Sequence, residues 1–291
     1  MPTSSYVLIT PAKNEELHIR KTLETVTRQT YLPGLWVIVS DGSSDRTDEL
    51  VTEFSRRHEF IRLVRLENRG DREFSSQAFA ATAGYQAIRH AKFDLAGFLD
   101  ADISLAPNYY AELITGFEAN PKLGVAGGVI VEDRNGRWKM RYGDSADYVA
   151  GAIQMFRRQC YEEIGGFIPL RWGGHDTVAN AMAGKNGWEV RAFSHLHARH
   201  HRPTGTAGTT VHRSRFRQGM HDHFMGYHPL FELVKCVRRI IEPPYVTGSI
   251  FRFCGYIWPR FNRANPGVPA DVVCYLRREQ IWRLLGAGGN R

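Results

Sequence analysis

The sequence predicts an α/β fold: a mostly parallel central sheet flanked by helices, with a mainly helical C-terminal extension. Three observations predict it. Short apolar runs alternate with amphipathic stretches through the first half of the 291 residues, which is the pattern of strand-helix-strand units. Polar turns follow the first, second and fourth of those runs. From about Arg215 the pattern becomes helical, with Arg and aromatic residues interleaved.

Tyr6 to Thr10, Trp36 to Val39, Ile61 to Leu66 and Leu95 to Leu99 are the predicted strands, each short and rich in apolar or β-branched residues. Between the first two, Ile19, Leu23 and Val26 recur at helical spacing, with Asn14 as their expected cap. Leu50, Val51 and Phe54 do the same after Ser43-Ser44-Asp45. A third helix is expected over Ser76 to His90, burying Phe79, Ala83 and Ile88, and a fourth over Tyr109 to Phe117 after Pro107. Gly124 to Val131 reads as a further strand, and Gly165-Gly166, Gly173-Gly174 and Gly184 to Gly187 punctuate a turn-rich region.

Composition narrows the class. With 43% hydrophobic and 23% charged residues the chain is ordinary globular material. No stretch reaches the roughly 20 uninterrupted apolar residues of a spanning helix; Pro244 to Phe261 comes nearest and is broken by Arg252 and Pro259. Met1 to Ser5 leads directly into the first strand, so a cytosolic start is expected. Cysteines at 160, 236, 254 and 274 form no CxxC pair, which predicts reduced, mostly buried thiols. The net charge of +8 belongs to the tail: from Leu196 onward there are 15 Lys and Arg against 5 Asp and Glu. The segment Tyr256 to Arg263 matches no RNA-binding signature, and no nucleic-acid partner is expected.

The chemistry-bearing residues stand at strand ends, where open α/β sheets bind their ligands. Thr10-Pro11-Ala12-Lys13-Asn14-Glu15-Glu16 follows the first strand and Ser40-Asp41-Gly42-Ser43-Ser44-Asp45 the second. The Asp41 carboxylate suits the imide N–H of a nucleobase, with Thr10, Pro11 and Ala12 lining base and ribose, while Ser43 and Asp45 can also cap a helix. Phe98-Leu99-Asp100-Ala101-Asp102 places two carboxylates one residue apart after an apolar strand. Such a pair suits Mg²⁺ or Mn²⁺ shared with substrate phosphates.

The series TPAKNEE, VSDGSSD, FLDAD and GGHDT resembles the inverting family 2 glycosyltransferases of GT-A fold, over roughly residues 6 to 205. The resemblance implies a nucleoside-diphosphate sugar donor bound by Thr10, Pro11, Ala12, Asn14, Glu15, Asp41, Asp100 and Ala101, with Asp102 as the direct ligand of a divalent cation. It implies a basic residue toward the diphosphate, here Arg72, although GDREFSSQAF departs from the family's wording. The family's base lies in a Glu-Asp pair after Gly-Gly; the matching residues are His175 and Asp176, which makes Asp176 the expected base and leaves His175 either an acceptor contact or a polar flank. Asp176 could also cap a helix over Thr177 to Gly184. Eight of twelve histidines fall between His195 and His228, and the resemblance implies that one completes the metal site, His200 first and His201 second.

The expected organisation is a glycosyltransferase domain over 1–215, with a nucleotide-binding half to about 105 and an acceptor half beyond, and an extension over 216–291. The acceptor is expected to be a glycan or a lipid-linked sugar in exopolysaccharide or lipid-linked glycan assembly. Arg238, Arg239, Arg252, Arg260 and Arg263, interleaved with Tyr245, Ile250, Phe251, Phe253, Tyr256, Ile257, Trp258 and Phe261, predict peripheral docking on an anionic membrane, at its cytoplasmic face; packing of these helices on protein is the other reading. Two rivals remain. A sugar-phosphate nucleotidyltransferase would carry a Gly-Gly-x-Gly-Thr-Arg loop where this chain has Pro11-Ala12-Lys13-Asn14, and an inactive nucleotide-binding module would not need Asp100, Asp102 and Asp176 together.

Overall fold

A computed structural model describes residues 2–67, 74–133, 136–140, 148–202, 210–261 and 267–286. They divide into two compact units, one formed by residues up to Pro169 with His175–Pro203, the other by Leu170–Gly174 with the residues from Thr204 onward.

In the first unit, β1 (Tyr6–Ala12), α1 (Ile19–Thr27), β2 (Leu35–Asp41), α2 (Thr47–Ser55), β3 (Ile61–Leu66), α3 (Phe74–Ile88) and β4 (Leu95–Leu99) follow in the expected order. β3, β2, β1 and β4 lie side by side and parallel, so the polar residues after β1, β2 and β4 collect at one edge. Alternation along the strands builds two apolar layers. Tyr6, Leu8, Trp36 and Ile38 face α1 and α2, while Val7, Ile9, Val37 and Val39 face α3. Ile19, Leu23 and Val26 are buried as the helical spacing predicts, as are Leu50, Val51 and Phe54.

Two local expectations are corrected. Asn14 does not cap α1: it takes a left-handed turn at φ 55° and its side-chain oxygen accepts from the N–H of Ser44, 2.8 Å away. The bond ties the first polar turn to the second. On α3, Ile88 is buried but Phe79 is 46% exposed; the helix meets the sheet through Ala78, Ala81 and Tyr85.

The second half of the sheet is mixed rather than mostly parallel. β5 (Ile103–Leu105), α4 (Tyr109–Ala119), β6 (Leu123–Asp133), β7 (Trp138–Met140), β8 (Ile153–Arg157), α5 (Arg158–Glu163), α6 (His175–Lys185) and β9 (Glu189–His200) complete the unit. The order is β3-β2-β1-β4-β8-β6-β9-β5, with β7 beside β6. β8 runs antiparallel between β4 and β6, and β9 runs parallel to β6. The β6–β9 register shifts between Gly127 and Val129. Gly128 permits it, because a Cβ there would lie 2.1 Å from the carbonyl oxygen of Leu196. The shift aligns Glu132 with His200.

The second unit contains α7 (Val211–Phe224), α8 (Pro229–Arg238), α9 (Tyr245–Phe261) and α10 (Ala270–Leu284). α7 spans position 215, where the sequence reading divides the chain. Its interior is partly ionic: Arg252 of α9 donates to Glu232 at 2.9 Å, to Gln218 at 2.8 Å and to Asp222, and Lys235 reaches Asp222 at 3.1 Å. Arg252 and Tyr256 are therefore core residues and not part of an exposed basic and aromatic surface. Cys160 and Cys236 are buried and Cys254 and Cys274 exposed, all four free. Among the described residues no helix is long and apolar enough to cross a membrane.

Candidate active site

The site is assembled at the carboxyl edge of β1, β2 and β4. Asp41, last residue of β2, is buried; the Ser76 hydroxyl of α3 donates to its Oδ2, and Lys13 Nζ lies 3.6 Å from the same oxygen. Thr10 is fully buried and its hydroxyl accepts from the Trp36 indole at 2.9 Å. That side chain belongs to the core, as does Ala12, while Pro11 between them is only half-buried. Glu15 is buried, with its N–H on Thr47 Oγ1 and its carboxylate on Arg202. Asp45 does serve α2, accepting from the Thr47 N–H at 2.9 Å.

Asp100 and Asp102 flank Ala101, whose carbonyl accepts from Thr22 Oγ1 at 2.7 Å. Gln77 Nε2 of α3 donates to Asp100 Oδ1 at 2.6 Å. Burial and the charge of Asp102 push the Asp100 carboxyl up to about 7; His200 opposes this, and Glu15 and Asp176 add to it. These groups thus form one electrostatic cluster. Asp102 behaves oppositely. Burial would raise its carboxyl, but the hydrogen bond and charge of His200, with Arg202 and His18, hold it below the usual carboxylate value.

His200 and His201 separate in the structure. His200 Nε2 stands 3.3 Å from Asp102 Oδ2. His201 instead bonds Ser104 Oγ at 2.7 Å and stacks on His18. Arg202 Nε lies 3.7 Å from Asp102 Oδ2. Among the described residues no three His, Cys, Asp or Glu side chains form a closed metal cage. The Asp102–His200 pair nonetheless fits a cation that draws its remaining ligands from a diphosphate and water, the usual way such ions are held at phosphates.

Asp176 lies in the first turn of α6 rather than at its cap. Its Oδ2 accepts from the Tyr148 hydroxyl at 2.8 Å and the Gly151 N–H at 3.1 Å. Burial would raise its pKa, but His175, Tyr148 and the N–H groups of Thr177 and Gly151 outweigh it and keep the carboxyl low. It is therefore ionised at neutral pH. His175 packs edge-on against Phe167 at 5.1 Å, and burial holds its pKa down. That environment makes it a packed neighbour of Asp176.

Arg72 lies outside the described residues. Sequence reasoning missed Ser76, Gln77, Tyr148, Glu132 and Arg202. Ser76 and Gln77 stand inside the divergent GDREFSSQAF stretch, where polar residues opening an otherwise apolar helix were the available signal. Tyr148 carries none: it stands 28 positions from Asp176 and only folding unites them.

Comparison with known proteins adds the family. The family model described as glycosyl transferase family 2 matches residues 7–178, more than half of the chain. The poly-β-1,6-N-acetyl-D-glucosamine synthase of Staphylococcus epidermidis is 34% identical over 116 residues, 40% of this chain and 26% of the relative; that of Staphylococcus aureus strain COL is 34% identical over 115 residues, with the same coverages. The matched region thus spans about a quarter of these relatives. Among solved structures, the mannosyltransferase PcManGT from Pyrobaculum calidifontis, in complex with GDP-Man and Mn²⁺, aligns with a TM-score of 0.58 at 18% identity, covering 100% of this chain and 79% of that one. TarS 1-349 of S. aureus with UDP-GlcNAc aligns at 0.52 and 14% identity, covering 98% and 82%. The fold is that of the GT-A glycosyltransferases, and the chain belongs to glycosyltransferase family 2.

Proposed function

We propose that the protein is an inverting, metal-dependent glycosyltransferase that uses a nucleoside-diphosphate sugar and has Asp176 as its base. One observation carries the reading. The Gly151 N–H donates to Asp176, and the adjacent Ala152 carbonyl accepts from the Asp100 N–H at 3.0 Å. Two consecutive residues therefore hold the base and the donor-binding acid on one piece of backbone.

The chemistry follows from this. A sugar hydroxyl is a weak nucleophile at neutral pH, and the ionised Asp176 carboxylate takes its proton as it attacks the anomeric carbon. The new glycosidic bond forms as the bond to the diphosphate breaks, in one displacement that inverts the anomeric centre. Asp41 accepts the imide N–H of the base, and Asp100, oriented by Gln77, binds at the ribose. Asp102 and His200 would hold a divalent cation, which supplies stabilisation of the charge on the departing diphosphate. Arg202 stands beside Asp102, held there by its ion pair with Glu15, and its positive charge adds to the field felt by the same phosphates. Donor complexes of two structural neighbours, one with GDP-Man and Mn²⁺ and one with UDP-GlcNAc, support a nucleotide-sugar donor and a divalent cation; the synthase relatives support a role in exopolysaccharide or lipid-linked glycan assembly. A hydrolysis screen of UDP-, GDP- and dTDP-sugars with Mn²⁺ or Mg²⁺ tests the reading. Nucleoside diphosphate should be released by the wild type and not by Asp176→Asn. Release from no donor would overturn it.

The extension is proposed to dock on an anionic membrane at its cytoplasmic face. Val246, Ile250, Phe251, Trp258 and Phe261 of α9 are exposed with no charged side chain between them on that face, and Arg238 and Arg260 are exposed as well. An amphipathic helix of this kind settles into the headgroup boundary, each basic residue adding about 1 kcal/mol. Flotation with phosphatidylglycerol liposomes should carry the full chain and fail for Trp258→Glu with Phe261→Glu. A soluble wild type at low salt would refute docking.

A further inference from the structure

We infer that Glu132 is a positioning residue for the metal-binding imidazole of His200; the inference rests on the metal reading given above. His200 lies at the end of β9 between two strands. Across one side it pairs with Ile103, the residue after Asp102; across the other it pairs in register with Glu132 of β6. Cross-strand partners in a sheet project to the same face. The imidazole is accordingly bracketed by two carboxylates, Asp102 Oδ2 at 3.3 Å from Nε2 and Glu132 Oε1 at 3.7 Å from Nδ1.

The two carboxylates address opposite ring nitrogens, whose lone pairs diverge. A cation bound at Nε2 beside Asp102 cannot also reach Glu132, so Glu132 is no ligand of that ion and stands behind the ring. Its position suits a different task. A metal-binding histidine commonly donates its remote N–H to a carboxylate, which fixes the tautomer and the ring plane. His200 Nδ1 is buried and makes no hydrogen bond in this state, and the buried Glu132 carboxylate is the acid on that side of the ring. A closure of under an ångström makes the bond and leaves Nε2 as the unprotonated donor to metal. Glu132 itself stays put because β6 is paired on both sides, with Lys139 of β7 opposite it on the far edge. The bulge at Gly128 is what brings position 132 into register with position 200.

The test is Mn²⁺ binding to the purified full chain, without donor, followed by the loss of the free-ion EPR signal. Glu132→Ala should weaken binding about 10- to 100-fold, the usual range for losing such a partner. Glu132→Gln should lie between it and the wild type, since an amide oxygen still accepts the Nδ1–H but with less pull. His200→Ala serves as the reference. If His200→Ala weakens binding and Glu132→Ala does not, the positioning role is overturned while the metal reading stands. If His200→Ala binds as well as the wild type, both fall. Should Glu132→Ala fail to fold, the Gln variant decides through the tautomer of His200, read from long-range ¹⁵N–¹H correlations at alkaline pH. The wild type should carry its proton on Nδ1, and the Gln variant should carry part of it on Nε2; identical tautomers in both would overturn the inference.

Discussion

The Gly151 N–H donates to Asp176 across 3.1 Å, and a Cβ at position 151 would lie 2.8 Å from the Cβ of Asp176. Asp176, the proposed base, and the glycine beneath it are in contact, so no side chain fits between them. Gly151→Ala should displace the carboxylate by a substantial fraction of an ångström. Misplacement on the scale of 1 Å can lower turnover about 100-fold. We expect kcat to fall by tens of fold while donor affinity, measured calorimetrically with nucleoside diphosphate, stays within about twofold. An unchanged kcat would mean that the base lies elsewhere.

Asp176→Asn retains the shape of the side chain but cannot accept a proton. Transfer should fall by at least ~100-fold, the lower range for losing general-base catalysis. NMR of the residual wild-type product should show inverted anomeric configuration; retention would contradict a single displacement.

Tyr148→Phe removes one of the hydrogen bonds that keep the Asp176 carboxyl low. Without it the folded-state pKa rises toward the ordinary carboxylate value, and the base is protonated at higher pH. The acidic limb of the kcat/KM profile should therefore move upward in pH, with the plateau above neutrality reduced less than tenfold. A limb that stays in place would separate Tyr148 from the base.

Asp102→Ala should abolish most metal-stimulated activity, as should excess EDTA in the wild type, with circular dichroism showing that the variant is folded at the assay temperature. Full activity under either condition would remove the cation from the mechanism.

In the helical unit the two buried acids should respond in opposite ways. Asp222 is held well below the usual carboxylate range: burial alone would raise it, but Lys235, Arg252 and His221 prevail. Its contribution to stability is present above the unfolded value of 3.8 and is lost as pH falls through the folded one. Glu232 is pushed up to about 7 by burial and the charge of Asp222, against Lys235 and Arg252. Its folded state binds the proton more tightly, so stability declines as pH rises from 4.5 toward 7. In urea denaturation at pH 8, Asp222→Asn should cost about 3–5 kcal/mol, as expected on breaking a buried ion pair, and Glu232→Gln clearly less. Equal losses would contradict this assignment of charge.

Much of the catalytic unit was determined by local pattern alone. Apolar runs with period two and helical stripes such as Ile19, Leu23 and Val26 specify β1 to β4 and their helices, because each face must be buried against the next layer. The polar turns after β1, β2 and β4 were legible for the same reason: three parallel strands deliver their carboxyl ends to one edge. What tertiary structure decided lies where contacts are long-range. The antiparallel insertion of β8 and the bulged pairing of β6 with β9 depend on partners 29 to 68 positions apart, which no periodicity encodes. Those pairings bring His200 to Asp102 and Glu132, and Tyr148 with Gly151 to Asp176. They also separate His200 from His201, since neighbouring residues on an extended chain point to opposite faces. Packing, finally, turned Arg252 and Tyr256 inward and left Phe79 exposed. A one-dimensional pattern of charge and apolarity cannot distinguish an arginine on the surface from one neutralised inside by Asp222 and Glu232, because the compensating charges lie on other helices.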